Sequence, residues 1–201
     1  MTTGDTRSAA YAERLAGSGR GWRRLLDVQR PYRWNVRRLR LGFVLDLGCG
    51  VGRNLEHLGG QGVGVDHSAE SVARARARGL AAFTPDEFAA SEHARPGRFD
   101  GLLVAHVVEH MTFPEAAALV RGYLPYVRPG GRVVFIVPQP AGFRSDATHV
   151  EPFDASKLRR LVTDLGLSFE RCYSFPFPSF AGTVFPHNET VLVATLPTVA
   201  K

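Results

Sequence analysis

Apolar and polar positions alternate along this chain in blocks. Phe43-Val44-Leu45-Asp46-Leu47 is a nearly continuous apolar run that ends at a glycine-rich turn, and Leu55 and Leu58 then recur at helical spacing. The unit reads strand, tight turn, helix. Residues 62–66 predict a second strand, the alanine-arginine stretch 69–78 a helix stopped at Gly79, and residues 80–83 a short third strand. Residues 99–105 predict a fourth strand, followed by a helix that accepts Pro114 in its first turn and runs toward Val127. Pro129-Gly130-Gly131 turns the chain into a β-branched fifth strand, Arg132 to Val137. Asp154 is placed to cap a helix that runs to about Leu165 and stops at Gly166, and two last strands lie near 167–174 and 189–196. Strands separated by helices imply an α/β fold with a parallel sheet, right-handed crossovers, helices on both faces and a ligand at the carboxyl ends of the strands.

Composition narrows the class. With 44% hydrophobic and 22% charged residues over 201 positions, the chain has enough apolar surface to fold, and no apolar run reaches the length of a membrane span. The first residues carry no apolar signal core, and the two cysteines, Cys49 and Cys172, make no disulfide framework; the expectation is a cytoplasmic protein. Charge is uneven. Ten of the arginines fall within residues 1–40 against three acidic residues, a local balance of +7, whereas 41–201 sums to −1. The expected organisation is a basic helical appendage or lid over 1–40 and one domain over 41–201. Such a leader attracts nucleic acid, an anionic membrane surface or an anionic small molecule, or is simply a solvated face.

The chemistry begins at Asp46-Leu47-Gly48-Cys49-Gly50-Val51-Gly52-Arg53-Asn54, where the first strand meets the first helix of the alternating pattern. Glycines there let a ligand approach the backbone. The dinucleotide fingerprint asks for a glycine where Arg53 stands, and Asp46 would repel a pyrophosphate but suit an ammonium group, so a nucleoside without phosphates fits better. Asp66, at the end of the second strand, suits ribose hydroxyls. These residues, with Gly64-Val65-Asp66-His67-Ser68, Phe99-Asp100, Val108-Glu109-His110-Met111 and Leu124 to Gly131, together resemble the class I S-adenosylmethionine-dependent methyltransferases, in particular their small-molecule branch. The resemblance covers about 41–196. It implies a Rossmann-like, doubly wound sheet of seven strands with the last antiparallel. It also implies S-adenosylmethionine as cofactor, with Asp46, Gly48, Cys49, Gly50 and Asn54 around the methionine moiety, Asp66 on the ribose, His67 and Asp86 near the adenine, and Ala105 completing the donor contacts.

His106-Val107-Val108-Glu109-His110 also spells an inverted zinc-peptidase motif, but that motif needs one continuous helix, and here it starts where a strand ends. His149, in the polar loop after the fifth strand, is expected on the same sheet edge. The segment resembles one in ubiquinone-type O-methyltransferases and a small-RNA 3′-end methyltransferase family, where a Glu-x-x-Glu-His run joins such a histidine around a divalent cation. His106 replaces the first glutamate of that run, so no metal ligand is assigned. Two roles stay open for His106, Glu109, His110 and His149: a metal-free acceptor site with His149 as general base, or a cation held by three histidines and a carboxylate. Arg30 to Asn35 reads as part of a lid or as plain packing, and Phe175 to Phe180 as an apolar acceptor wall or as core. The resulting expectation is methyl transfer to oxygen, or less favourably nitrogen, of a small molecule, without nucleic acid and without a membrane span. The alternatives are RNA methylation and a catalytically silent S-adenosylmethionine-binding partner protein.

Overall fold

In a computed structural model, which describes residues 27 and 29–198, seven strands form one sheet: β1 (Val44–Leu47), β2 (Gly62–Val65), β3 (Ala82–Phe83), β4 (Phe99–Ala105), β5 (Val127–Pro138), β6 (Ser168–Phe175) and β7 (Glu189–Thr195). Their order is β3-β2-β1-β4-β5-β7-β6. The pairs from β3 through β5 are parallel, and β7 runs antiparallel between β5 and β6. The order reverses between β1 and β4, which is where an open α/β sheet forms its ligand crevice.

Seven helices accompany the sheet among the described residues: α1 (Arg30–Arg38), α2 (Arg53–His57), α3 (Ala69–Ala77), α4 (Pro85–Ala89), α5 (Phe113–Tyr123), α6 (Pro140–Arg144) and α7 (Ala155–Asp164). Alternation along the strands splits the core into two layers. Leu45, Leu47, Val63, Val104, Phe135 and Leu192 face Phe88 of α4, Val120 of α5 and Leu158 and Leu161 of α7. On the other face, Val44, Leu103, Val134, Ile136, Val191 and Val193 pack with Val36 of α1, Leu55 of α2 and Val72 and Ala75 of α3. Central strands buried on both faces explain the continuous apolar runs. No helix among the described residues is long and apolar enough to cross a membrane.

Local chemistry sets most boundaries. Asp154 caps α7 by accepting from Lys157 N (2.8 Å), and Gly166 ends that helix with φ +70°. Several boundaries differ from the sequence reading. The helix expected to run to Val127 stops at Tyr123, and Leu124–Tyr126 tightens into a 3₁₀ turn carrying Pro125. β5 begins at Val127, because Pro129-Gly130-Gly131 is absorbed as an irregularity between the Phe99–Val127 and Gly101–Arg132 pairs. α4, in a stretch to which the pattern assigns no element, and α6, in the polar loop after the fifth strand, are each opened by a proline. The core also starts upstream of Leu41, since Asn35, Val36 and Leu39 of α1 and its end are already buried.

Candidate functional site

The first half of the site is the turn after β1. Gly48 N and Cys49 N both donate to Val65 O of β2 (2.7 and 3.1 Å), which folds the chain sharply back over the sheet edge. Gly48, Gly50 and Gly52 take φ of +72°, +54° and +83°, a region L side chains rarely enter, and Gly52 then opens α2. Asp66 fastens this loop: one carboxylate oxygen accepts from Gly50 N (2.8 Å), the other from Ser68 N (2.9 Å). His67 is exposed, 3.7 Å from the Asp66 carboxylate. Asp46, beneath the loop, is buried, and neither of its oxygens completes a hydrogen bond. Burial first, and the charge of Asp66 second, push its pKa up to about 8, while Asn54 pulls only part of the way back. Burial likewise pushes the Cys49 thiol well above its ordinary range, so Cys49 lines the loop as a small apolar group. Ala105 lies buried at the end of β4, and Asp86 is exposed in the first turn of α4.

The second half follows β4. His106 N donates to Ile136 O (2.8 Å), and the residue then adopts φ +57°, a left-handed kink that sends Val108–His110 into a 3₁₀ turn instead of a helix. The continuous helix an inverted zinc-peptidase motif requires is absent here. Glu109 is fully buried, and neither of its side-chain oxygens completes a hydrogen bond. Its backbone carbonyl accepts from Val150 N (2.7 Å), which draws the loop after α6 against the turn. His149 Nδ1 lies 2.8 Å from Phe143 O, a carbonyl that only accepts, so Nδ1 carries the proton and Nε2 is the basic nitrogen. Its ring lies over Phe143 and 4.8 Å from the ring of His110. The ring of His110 is steadied near Thr148, whose carbonyl is 3.3 Å from Nδ1; burial, partly offset by Glu109, lowers its pKa. Ligand-type atoms of Glu109, His110 and His149 lie within 4.8 Å of one another.

Three of the four expected acceptor-side residues therefore converge. His106 reaches that cluster only through Glu109: its Nδ1 is 3.2 Å from the Glu109 carboxylate and its Nε2 3.0 Å from Glu189, the first residue of β7. The ring is half exposed, so the desolvation that opposes a charge on it is partial, and the two carboxylates outweigh it and raise the imidazole above its ordinary pKa. A four-residue set of three histidines and one carboxylate is replaced by two histidines and one carboxylate, with His106 as a cation between two acids. Glu189 escaped the sequence reading; the one trace it leaves there is a charged residue opening an otherwise apolar strand. The two halves meet at Val107, since a Cβ on Gly48 would run into its Cγ2.

A family model described as a methyltransferase domain matches residues 20–171. The ubiquinone biosynthesis O-methyltransferase of Serratia proteamaculans is 34% identical over 100 residues, covering 46% of this chain and 41% of that protein. Its counterpart in Sodalis glossinidius is 35% identical over 100 residues, covering 46% and 39%. The chain thus spans about two fifths of the length of the curated relatives it matches. Among solved structures, the putative methyltransferase in complex with the Haloferax volcanii Trm112 activator aligns over 100% of both chains with TM-score 0.71 and 17% identity. The N-methyltransferase NodS of Bradyrhizobium japonicum, in complex with S-adenosylhomocysteine, aligns over 96% of this chain and 100% of its own with TM-score 0.66 and 19% identity.

Proposed function

The chain belongs to the methyltransferase-domain family, and from that premise we propose that it transfers the methyl group of S-adenosylmethionine to an oxygen of a small-molecule acceptor. The observation that carries this reading is the meeting of two halves at one edge: the glycine loop over Asp46 and the Glu109–His110–His149 cluster, joined through the contact of Gly48 with Val107. The donor fits the first half. Asp46 offers two buried oxygens whose hydrogen bonds are incomplete, suited to an ammonium group, and the positive φ of Gly48, Gly50 and Gly52 folds the loop tightly above it. Asp66 would hold the ribose hydroxyls with the lone pairs its two backbone donors leave over.

S-adenosylmethionine supplies a methyl group already activated on a sulfonium. The residues of this chain then have three tasks: to align the acceptor, to exclude water and to remove the hydroxyl proton. His149 is the base in this reading, because Phe143 O fixes its tautomer and leaves Nε2 as acceptor. Glu109, buried nearby, favours the cation that forms on either neighbouring histidine. A second reading is favoured by the close approach of Glu109, His110 and His149, a ligand set that suits zinc, iron or manganese better than magnesium. In that case the three would hold a divalent cation that orients the acceptor oxygen. Calorimetry with S-adenosylmethionine and S-adenosylhomocysteine tests the premise; the expected outcome is binding of both, and binding of neither refutes it. Turnover assayed with and without a chelator separates the two versions: loss reversed by an added divalent ion supports the cation, and an unchanged rate supports the simple base.

A further inference from the structure

The loop between β6 and β7 is anchored at its root and apolar at its tip. Asn188, fully buried, donates from Nδ2 to Gln139 Oε1 and Ser174 Oγ (2.9 Å each), and its Oδ1 accepts from Phe177 N (2.9 Å). Arg144 of α6 donates to Thr183 O (3.0 Å), and Gly182 packs directly against Gln139. What this anchored loop displays is Phe180 and Val184, 76% and 80% exposed, with Phe177 half exposed beside Phe185. The buried amide network thus holds Phe180 and Val184 out toward solvent, and clustered exposure of this kind marks a contact surface.

α1 extends the same rim. Tyr32 donates to His187 O (2.7 Å), and Trp34, more than half exposed, stacks on Phe175 with ring centroids 6.4 Å apart. Arg38 lies 4.6 Å over the Trp34 ring, and Arg30, Arg37 and Arg38 are exposed. Charge decides the occupant. Residues 30–38 and 175–188 carry four arginines and no carboxylate; Arg33 is paired with Asp27 and the adjoining Glu189 with His106, which leaves the exposed Arg30, Arg37 and Arg38 to set a positive rim that favours an anionic headgroup. Aromatic and guanidinium side chains side by side suit the layer where acyl chains give way to phosphates. A phosphate-rich polymer without acyl chains would leave Phe180 and Val184 uncovered.

We propose that the rim formed by Trp34, Phe177, Phe180 and Val184 beside the arginines of α1 seats the protein on an anionic lipid surface. The rim lies at the carboxyl edge of the sheet: Phe175 pairs with Glu189, and Glu189 with Pro138 at the end of β5. A protein seated this way turns its crevice toward the surface, and an amphiphilic molecule enters from the lipid without crossing water.

Co-sedimentation of the full chain with phosphatidylcholine vesicles, with and without phosphatidylglycerol, tests the proposal. Binding is expected to require the anionic lipid. Phe180→Ser with Val184→Ser, both at exposed positions, should weaken it by at least about tenfold, the scale of losing two inserted side chains, with an unchanged melting temperature. Arg30→Gln should weaken it further and steepen nothing in the lipid-free protein. Failure of the wild type to bind anionic vesicles overturns the proposal. Equal binding by the double serine variant also overturns it, because overall charge alone would then account for adsorption. A dimer in solution that the serine variant dissolves, without vesicle binding, would assign the rim to a second copy instead.

Discussion

Asp46 holds a carboxyl group away from water with neither oxygen hydrogen-bonded, and its pKa in the folded protein, about 8, lies far above the ordinary 3.8. The folded state therefore keeps the proton that the unfolded chain gives up. Its contribution to stability is complete below about pH 4 and is lost as pH rises through about 8. Denaturant titrations of the wild type should accordingly show stability declining across that window, and Asp46→Asn should flatten the decline. The same variant should bind S-adenosylmethionine more weakly, since an amide, unlike the carboxyl group, cannot give up a proton to become the anion that an ammonium group selects. Asp66→Ala is expected to cost roughly 1.5–3 kcal/mol of donor affinity, the range for hydrogen bonds to a charged group; unchanged affinity in calorimetry would remove the ribose assignment. On the acceptor side, His149→Ala should reduce turnover by about 10²–10⁴ with donor affinity nearly intact, as for loss of a general base. A variant that turns over normally would leave His149 as packing against Phe143.

At the scale of elements, the join between the two halves depends on a glycine. Gly48 combines a left-handed φ of +72° with Val107 where its Cβ would be. Gly48→Ala should destabilise the protein by about 1–3 kcal/mol, the combined scale of backbone strain and overpacking. Adding Val107→Ala should recover only the steric part, which thermal melts of the single and double variants can separate. This region also shows what the sequence made readable. The apolar runs at β1, β2 and β4 announced their strands because both faces of a central strand are buried, and the spacing of Asp46, the glycines and Asp66 announced the loop. The positive φ of His106 left no such trace, because the kink is imposed by pairing with Ile136 and by two carboxylates, one of them 83 residues away. Pro129-Gly130-Gly131 reads locally as a turn and is drawn into β5 by pairing with β4. α4 and α6 are five residues each, too short for periodicity to register, although Thr84 and Glu87 form a capping box.

For the molecule as a whole, the two faces of the sheet are covered by different means. One face lies under α4, α5 and α7; the other has α2 and α3 over the β1–β2 side, while β5 and β7 show Val134, Ile136, Val191 and Val193 to the layer that holds α1. Residues 30–39 thus close a hydrophobic layer, although their arginines give them the look of a solvated leader. Sequence pattern alone hides this, because Val36 and Leu39 are only two apolar side chains between charged neighbours, and a helix that buries so narrow a stripe resembles an exposed one. Asn35 adds a tie, accepting from Tyr173 Oη of β6 (2.8 Å) while itself buried. Leu39 is fully buried, so Leu39→Ala should cost about 2–5 kcal/mol, the range for emptying a core leucine site. Deleting residues 1–40 removes that side chain together with Val36, Tyr32 and the tie to Tyr173, and leaves a strip of sheet exposed to water. The expected outcome is a truncated chain with a broadened or lost unfolding transition and strong binding of a hydrophobic dye. A truncated protein that melts as cooperatively as the full chain would mean that the sheet closes without α1, and that the helix is the detachable appendage its charge resembles.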